Sequence, residues 1–151
     1  MVSKHFSVHE LVPKKMYEKY GEKAWRYVDA RLVETIDKLK EHFSEGTMTI
    51  NNYYWGGDRE WSGIRTPDSP YYNVGSQHSY GNAVDIVWSS YSVKEVRDYV
   101  LGNLGVFDKV RGIEIASWLH VDVRNSEELV IFDSHNKVYS IEDALKQQTG
   151  A

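Results

Sequence analysis

Between Glu22 and Phe43, apolar side chains recur at Trp25, Val28, Leu32, Ile36, Leu39 and Phe43. Steps of three and four put them on one stripe, the mark of an amphipathic helix. Glu45-Gly46 ends it. Ser7 followed by Glu10, and Ser92 followed by Glu95, have capping-box spacing. The first predicts a short helix limited by Pro13, the second a helix running to about Leu104. "SIEDALKQQ" predicts a terminal helix. The period then changes. "TMTINNYYW" (residues 47–55) and "AVDIVW" (83–88) are rich in β-branched and aromatic residues and read as strands. "KVRGIEIASWLHVDVR" alternates with a break at Ala116-Ser117, which predicts a β-hairpin. "ELVIFD" and "KVYS" flank a "SHNK" turn as short strands. Gly56 to Gly75 follows neither period and reads as a long functional or mobile loop. Helices first, then mixed strands and helices, predict an α+β fold. The expectation is a small antiparallel or mixed sheet with helices packed on one side.

Composition narrows the function more than the fold. The 151 residues fit one domain, 1–151, and 41% are hydrophobic, enough for a core. A net charge of -4 argues against a nucleic-acid partner, which needs a basic surface. No apolar run has the length of a membrane span, so no membrane insertion is expected. "MVSKHFSVHELV" has no signal-peptide h-region, so the expectation is synthesis in the cytoplasm without Sec export of its own. There are no cysteines, which removes disulfides, thiol nucleophiles and Cys-based zinc sites. Any metal must be held by histidine and carboxylate.

Two segments offer those ligands. In "VGSQHSYGNAVDIVW", His78 and Asp85 are seven apart. On one straight strand they would face opposite sides, so they can meet only if the chain bends. Gly81-Asn82 tolerates the positive φ such a bend uses. Asp85 sits among Ala83, Val84, Ile86 and Val87, where a buried charge needs a partner or a metal. In "GIEIASWLHVDVR", His120 and Asp122 interrupt a similar apolar strand. Two histidines and an aspartate are ligand types that zinc accepts, and three protein ligands leave a fourth position open. Asp122, two residues on, shares a face with His120 and either orients it or meets solvent. Ser76 either does the same for His78 or forms a turn bond. "HEL" at His9 is no zincin motif, because Pro13 stands where a second histidine would be.

"SQHSYGNAVD" together with "WLHVDVR" resembles the zinc D-Ala-D-Ala carboxypeptidase superfamily, which includes phage-type cell-wall endopeptidases and the hedgehog fold. "HFSVHEL" is similar to the opening of one small phage-type branch. The resemblance covers most of the chain. It implies one Zn2+ held by His78, Asp85 and His120. It also implies hydrolysis of a peptidoglycan stem peptide at a D-Ala-D-Ala or L-Ala-D-Glu type bond. Phage-encoded release or delivery to the cell wall would follow from it. "WSGIR" resembles the family's Ser-Gly-Tyr-Arg segment, which makes Arg65 the group that binds a substrate carboxylate or polarises the scissile carbonyl.

The general base departs from one family pattern. Many members carry Glu three residues before the second histidine, and this chain has Ser117. Glu114, six before His120, has the spacing of the hedgehog branch. Along one straight strand six residues span about 20 Å, too far for a shared water. A hairpin with a three-residue loop would set Glu114 opposite His120, with Cβ atoms about 5 Å apart. A two-residue loop would turn it away. Ser117 also supports an alternative: a non-catalytic zinc-binding relative that binds cell wall or serves as a phage structural protein.

Overall fold

The computed structural model describes residues 2–148. Its helices are α1 (Lys14–Tyr20), α2 (Ala30–His42), α3 (Val93–Gly102) and α4 (Ile141–Leu145). The strands β1 (Met48–Thr49), β2 (Ala83–Trp88), β3 (Gly112–Ile115), β4 (Leu119–Asp122), β5 (Val130–Asp133) and β6 (Val138–Tyr139) form one sheet in the order β1-β2-β4-β3-β5-β6. Neighbours pair antiparallel except β3 with β5, which run parallel. This is an α+β fold with a mixed six-stranded sheet and helices packed against it.

The period of two along the strands separates the sheet's faces. Val84, Ile86, Ile113, Ile115, Leu119, Val121 and Ile131 share one face and are almost fully buried. They form a single core with Leu32, Val33, Ile36 and Leu39 of α2 and Val96, Val100 and Leu101 of α3. On the other face, the register aligns Asp85, His120, Glu114 and Phe132 in one row across β2, β4, β3 and β5. The hydrophobic alternation that makes the core thus also collects the polar residues at one level.

Several elements differ from the sequence expectation. The stripe from Glu22 to Phe43 belongs to two pieces, a 3-10 turn over Gly21–Tyr27 and then α2. Val28 between them is extended, and Asp29 caps α2 by accepting from the Arg31 amide at 2.8 Å. The Asp29 amide in turn donates to the Gly81 carbonyl, which ties the break to the loop before β2. The first turn, Val8–Glu10, already ends at Leu11, and Pro13 stands instead at the N-cap of an unexpected helix, α1, where its missing N–H costs nothing. The 47–55 strand shrinks to Met48–Thr49, and a 3-10 turn follows at Tyr53–Trp55. Asn51 and Asn52 redirect the chain there: their side-chain oxygens accept from the amides of Ser62 and Arg59, both at 2.9 Å. Residues 56–75 contain turns and bends only. The terminal helix covers only Ile141–Leu145, capped by Ser140.

Candidate metal centre

His78 arrives on a 3-10 turn, Gln77–Tyr80, that Gly81 closes with φ of 73°. A Cβ at position 81 would lie 1.9 Å from the Tyr27 carbonyl oxygen, so glycine is required by close approach as well as by φ. This bend lets His78 turn back on Asp85. His78 Nε2 lies 3.2 Å from Asp85 Oδ1. Asp85 and His120 are direct cross-strand partners, and His120 Nδ1 lies 2.9 Å from the same oxygen. All three side chains are buried, and the three ligand atoms lie within 4.8 Å of one another.

The outer nitrogens decide what the inner ones face. His78 Nδ1 is 2.8 Å from the Gly63 carbonyl, which can only accept, so that nitrogen carries a hydrogen. His120 Nε2 is 2.8 Å from Asp122 Oδ2 and donates to it. In the neutral rings, His78 Nε2 and His120 Nδ1 then present lone pairs to a carboxylate oxygen. Three acceptors converging on one point repel unless a proton or a cation lies between them. Zinc bonds of about 2.1 Å in a tetrahedral site hold ligand atoms about 3.4 Å apart, near the 3.2 Å from His78 Nε2 to Asp85 Oδ1 and about 0.5 Å more than the 2.9 Å from His120 Nδ1. Donor chemistry, spacing and the outward hydrogen bonds all fit a divalent cation bound by His78, Asp85 and His120. Without one, a proton plays that part. Burial disfavours charge on His120, but the hydrogen bonds to Asp122 and Asp85 outweigh it and push its pKa up to about 9. Burial likewise opposes ionisation of Asp85, yet bonding to His120 and His78 holds it well below the usual carboxylate range.

Behind His120 stands a second layer. Asp122 is completely buried, and Arg124 grips it through Nε at 2.8 Å and Nη2 at 2.7 Å. Burial works against this carboxylate too, but Arg124 and His120 bring its pKa to about 2. Room for it comes from Gly112 on the neighbouring strand, where a Cβ would sit 2.2 Å from Asp122 Oδ1. Arg124 lies two residues beyond Asp122 and so on the same strand face, a relation readable from "HVDVR". Gly112 offered the usual signal of a glycine inside a strand, close approach of another group. Gly63 has the same role on the His78 side. A Cβ there would lie 2.1 Å from the Leu11 carbonyl oxygen, and that closeness places the Gly63 carbonyl for His78. Neither glycine was singled out from sequence.

The other expected site residues divide. The hairpin loop is Ala116–Trp118, the odd length required, and Glu114 pairs directly with His120. Glu114 is half-buried, and desolvation raises its pKa, with His120 partly offsetting this. Arg65 donates through Nη2 to Asp85 Oδ2 at 3.0 Å and through Nε to the Trp61 carbonyl at 2.8 Å. Its grip is thus on the Asp85 carboxylate, leaving Asp85 Oδ1 for the histidines. Ser76 accepts from the His78 amide at 3.3 Å, so it caps the turn and does not touch the ring.

These groups open onto a cleft of about 840 Å³. Trp61, Arg65, Tyr71, Trp118, Phe132 and Val138 are among its lining residues. Of the aromatic residues in and beside the long 56–75 loop, Trp61 and Tyr71 line this cleft, whereas Trp55 and Tyr72 do not. Trp55 packs instead near His9 and Tyr54. Arg124 stacks on Phe132, 4.9 Å from the ring centre, and also reaches the cleft. No helix among the described residues is long and apolar enough to cross a membrane. No family model matches this chain, and neither a curated protein nor a solved structure matches it.

Proposed function

We propose that this protein is a zinc metallopeptidase that hydrolyses peptide bonds in peptidoglycan stem peptides. The observation that carries the metal reading is the convergence of His78 Nε2, Asp85 Oδ1 and His120 Nδ1, with both outer ring nitrogens engaged. The peptidase reading adds Glu114, the cross-strand partner of His120, and a cleft of about 840 Å³ that both residues line. The choice of wall peptide rests on the paired "SQHSYGNAVD" and "WLHVDVR" motifs.

Zinc bound here would lower the pKa of a coordinated water to near neutrality and polarise the amide carbonyl. Glu114, the cross-strand partner of His120, would take a proton from the attacking water and return it to the leaving amine. Its half-buried carboxyl, raised above the ordinary value, suits that two-way transfer. Arg65 orients Asp85 and keeps a cation beside the carbonyl as negative charge builds. Asp122, clamped by Arg124, fixes the His120 ring and its tautomer. Trp61, Tyr71 and Trp118 supply apolar walls for the peptide.

A second reading has one observation in its favour. Position 117 is an exposed serine, so the carboxylate three residues before His120 is missing. The protein would then bind zinc and cell wall without cutting. Digestion of purified peptidoglycan, followed by mass spectrometry of released peptides, separates the two. The peptidase reading expects new peptide termini from the wild type and a loss of about 10²–10⁴-fold in rate for Glu114→Gln, with zinc retained. Intact stem peptides with zinc-loaded wild type would leave the binding reading standing.

A further inference from the structure

Outside the cleft, a small cavity of about 120 Å³ is lined by Arg31, Lys109, Arg111, Arg124, Asn125 and Ser126. Four cations and no acid line it, in a chain whose net charge is -4. They come from three places: the start of α2, the segment entering β3, and the segment leaving β4. Each guanidinium is held by one edge. Arg31 uses Nε and Nη2 on Asp29, and Arg124 uses the same two nitrogens on Asp122. Arg111 uses Nη1 on the carbonyls of Asp108 and Val110, at 2.7 and 2.9 Å. No ion pair compensates Arg111 among the described residues, whereas Arg31, Lys109 and Arg124 each face an aspartate, Asp108 being shared with Lys38 and Asp122 with His120. The cluster therefore keeps about one uncompensated positive charge, and each arginine keeps further N–H groups outside these bonds. Side chains fixed this way lose little entropy on gripping a ligand. The volume is that of about four waters, room for a single oxyanion group and not for a nucleotide.

We propose that this cavity is an anion site for a phosphoryl group, free or carried in a larger molecule, with Arg111 as its main anchor. Arginine forks match phosphate oxygens, and Lys109 adds a point charge. Because Arg124 lines both cavities, the anion would sit on the far side of the residue that clamps Asp122. Apart from Arg124, its lining residues lie outside the cleft, and the proposal does not rest on the peptidase reading.

The test is a titration of isotopically labelled protein with inorganic phosphate, following arginine side-chain NMR signals against sodium chloride at equal ionic strength. Chelation beforehand keeps phosphate from binding any metal. The expected result is a saturable shift at Arg111 that chloride does not reproduce. Arg111→Gln weakens binding at least about fivefold, and Lys109→Gln, more exposed and less able to disturb the fold, weakens it measurably. Shifts no larger than those with chloride would overturn the proposal, as would wild-type affinity in folded Arg111→Gln. Dimethyl phosphate distinguishes the source. Binding as tight as inorganic phosphate supports a group carried in a diester-linked polymer, and binding of inorganic phosphate alone supports a free ion or terminal phosphate.

Discussion

Gly112→Ala perturbs the layer behind His120 without touching any proposed ligand. The new Cβ would stand 2.2 Å from Asp122 Oδ1, 2.3 Å from Oδ2 and 2.4 Å from Cγ. Ordinary contact is about 3.4 Å or more, so the carboxylate must retreat by about 1 Å. Its bonds to Arg124 and His120 are now 2.7–2.8 Å long. Lengthened by that retreat, they reach about 3.8 Å, beyond hydrogen-bonding range. Loss of an outer-shell partner of a metal-bound histidine typically costs 10–100-fold in affinity, roughly 1.4–2.8 kcal/mol. Overpacking removes about 1–3 kcal/mol of stability as well. Zinc affinity is read by competition with a chromophoric chelator, and folding by urea denaturation of the metal-free protein. Gly102→Ala is the control, since its Cβ meets nothing within 4 Å. Adding Asp122→Ala to Gly112→Ala should cost little more zinc affinity, because both act through one carboxylate. Wild-type zinc affinity in Gly112→Ala, or full additivity of the pair, would refute the role given to Asp122.

Two further outcomes follow from the same packing. Gly63→Ala drives a Cβ to 2.1 Å from a backbone oxygen that cannot swing away, so it should destabilise the fold by about 2 kcal/mol or more and weaken zinc binding through His78; an unchanged urea midpoint would contradict this. Burial lowers the His9 pKa below its ordinary 6.5, with Glu22 partly opposing. The unfolded chain then takes up that proton first, and stability is lost as pH falls from 6.5 through the lower folded value. His9→Phe, which keeps the stack on Tyr54, should show a shallower loss of stability across that window than the wild type; parallel pH curves would count against it.

The converging triad of His78, Asp85 and His120 was legible because its chemistry is local to short motifs. Asp85 and His120 each broke an apolar strand, and burial made both need a partner. Period two then gave the His120–Asp122 relation, and loop parity gave the condition on Glu114 that the three-residue loop meets. What the chain concealed depends on contacts far apart in sequence. The Glu22–Phe43 stripe hid a break, because the Asp29–Gly81 bond that accompanies it is long-range. The 47–55 strand was overextended because β-propensity does not register two asparagine amides capturing a loop. Arg65 shows the same limit: a motif placed it near the site, but only packing reveals that it holds Asp85.

The central claim is that His78, Asp85 and His120 together bind one divalent metal ion. Substitution with Co2+ and measurement of its visible absorption tests this most directly, since low coordination with three protein ligands gives intense bands in a one-to-one titration. The account predicts saturation at one Co2+ per chain, displaced by one Zn2+, and loss of the spectrum in Asp85→Ala and His120→Ala proteins that remain folded by circular dichroism. Absence of stoichiometric binding by the wild type, or an unchanged spectrum in either variant, would contradict it.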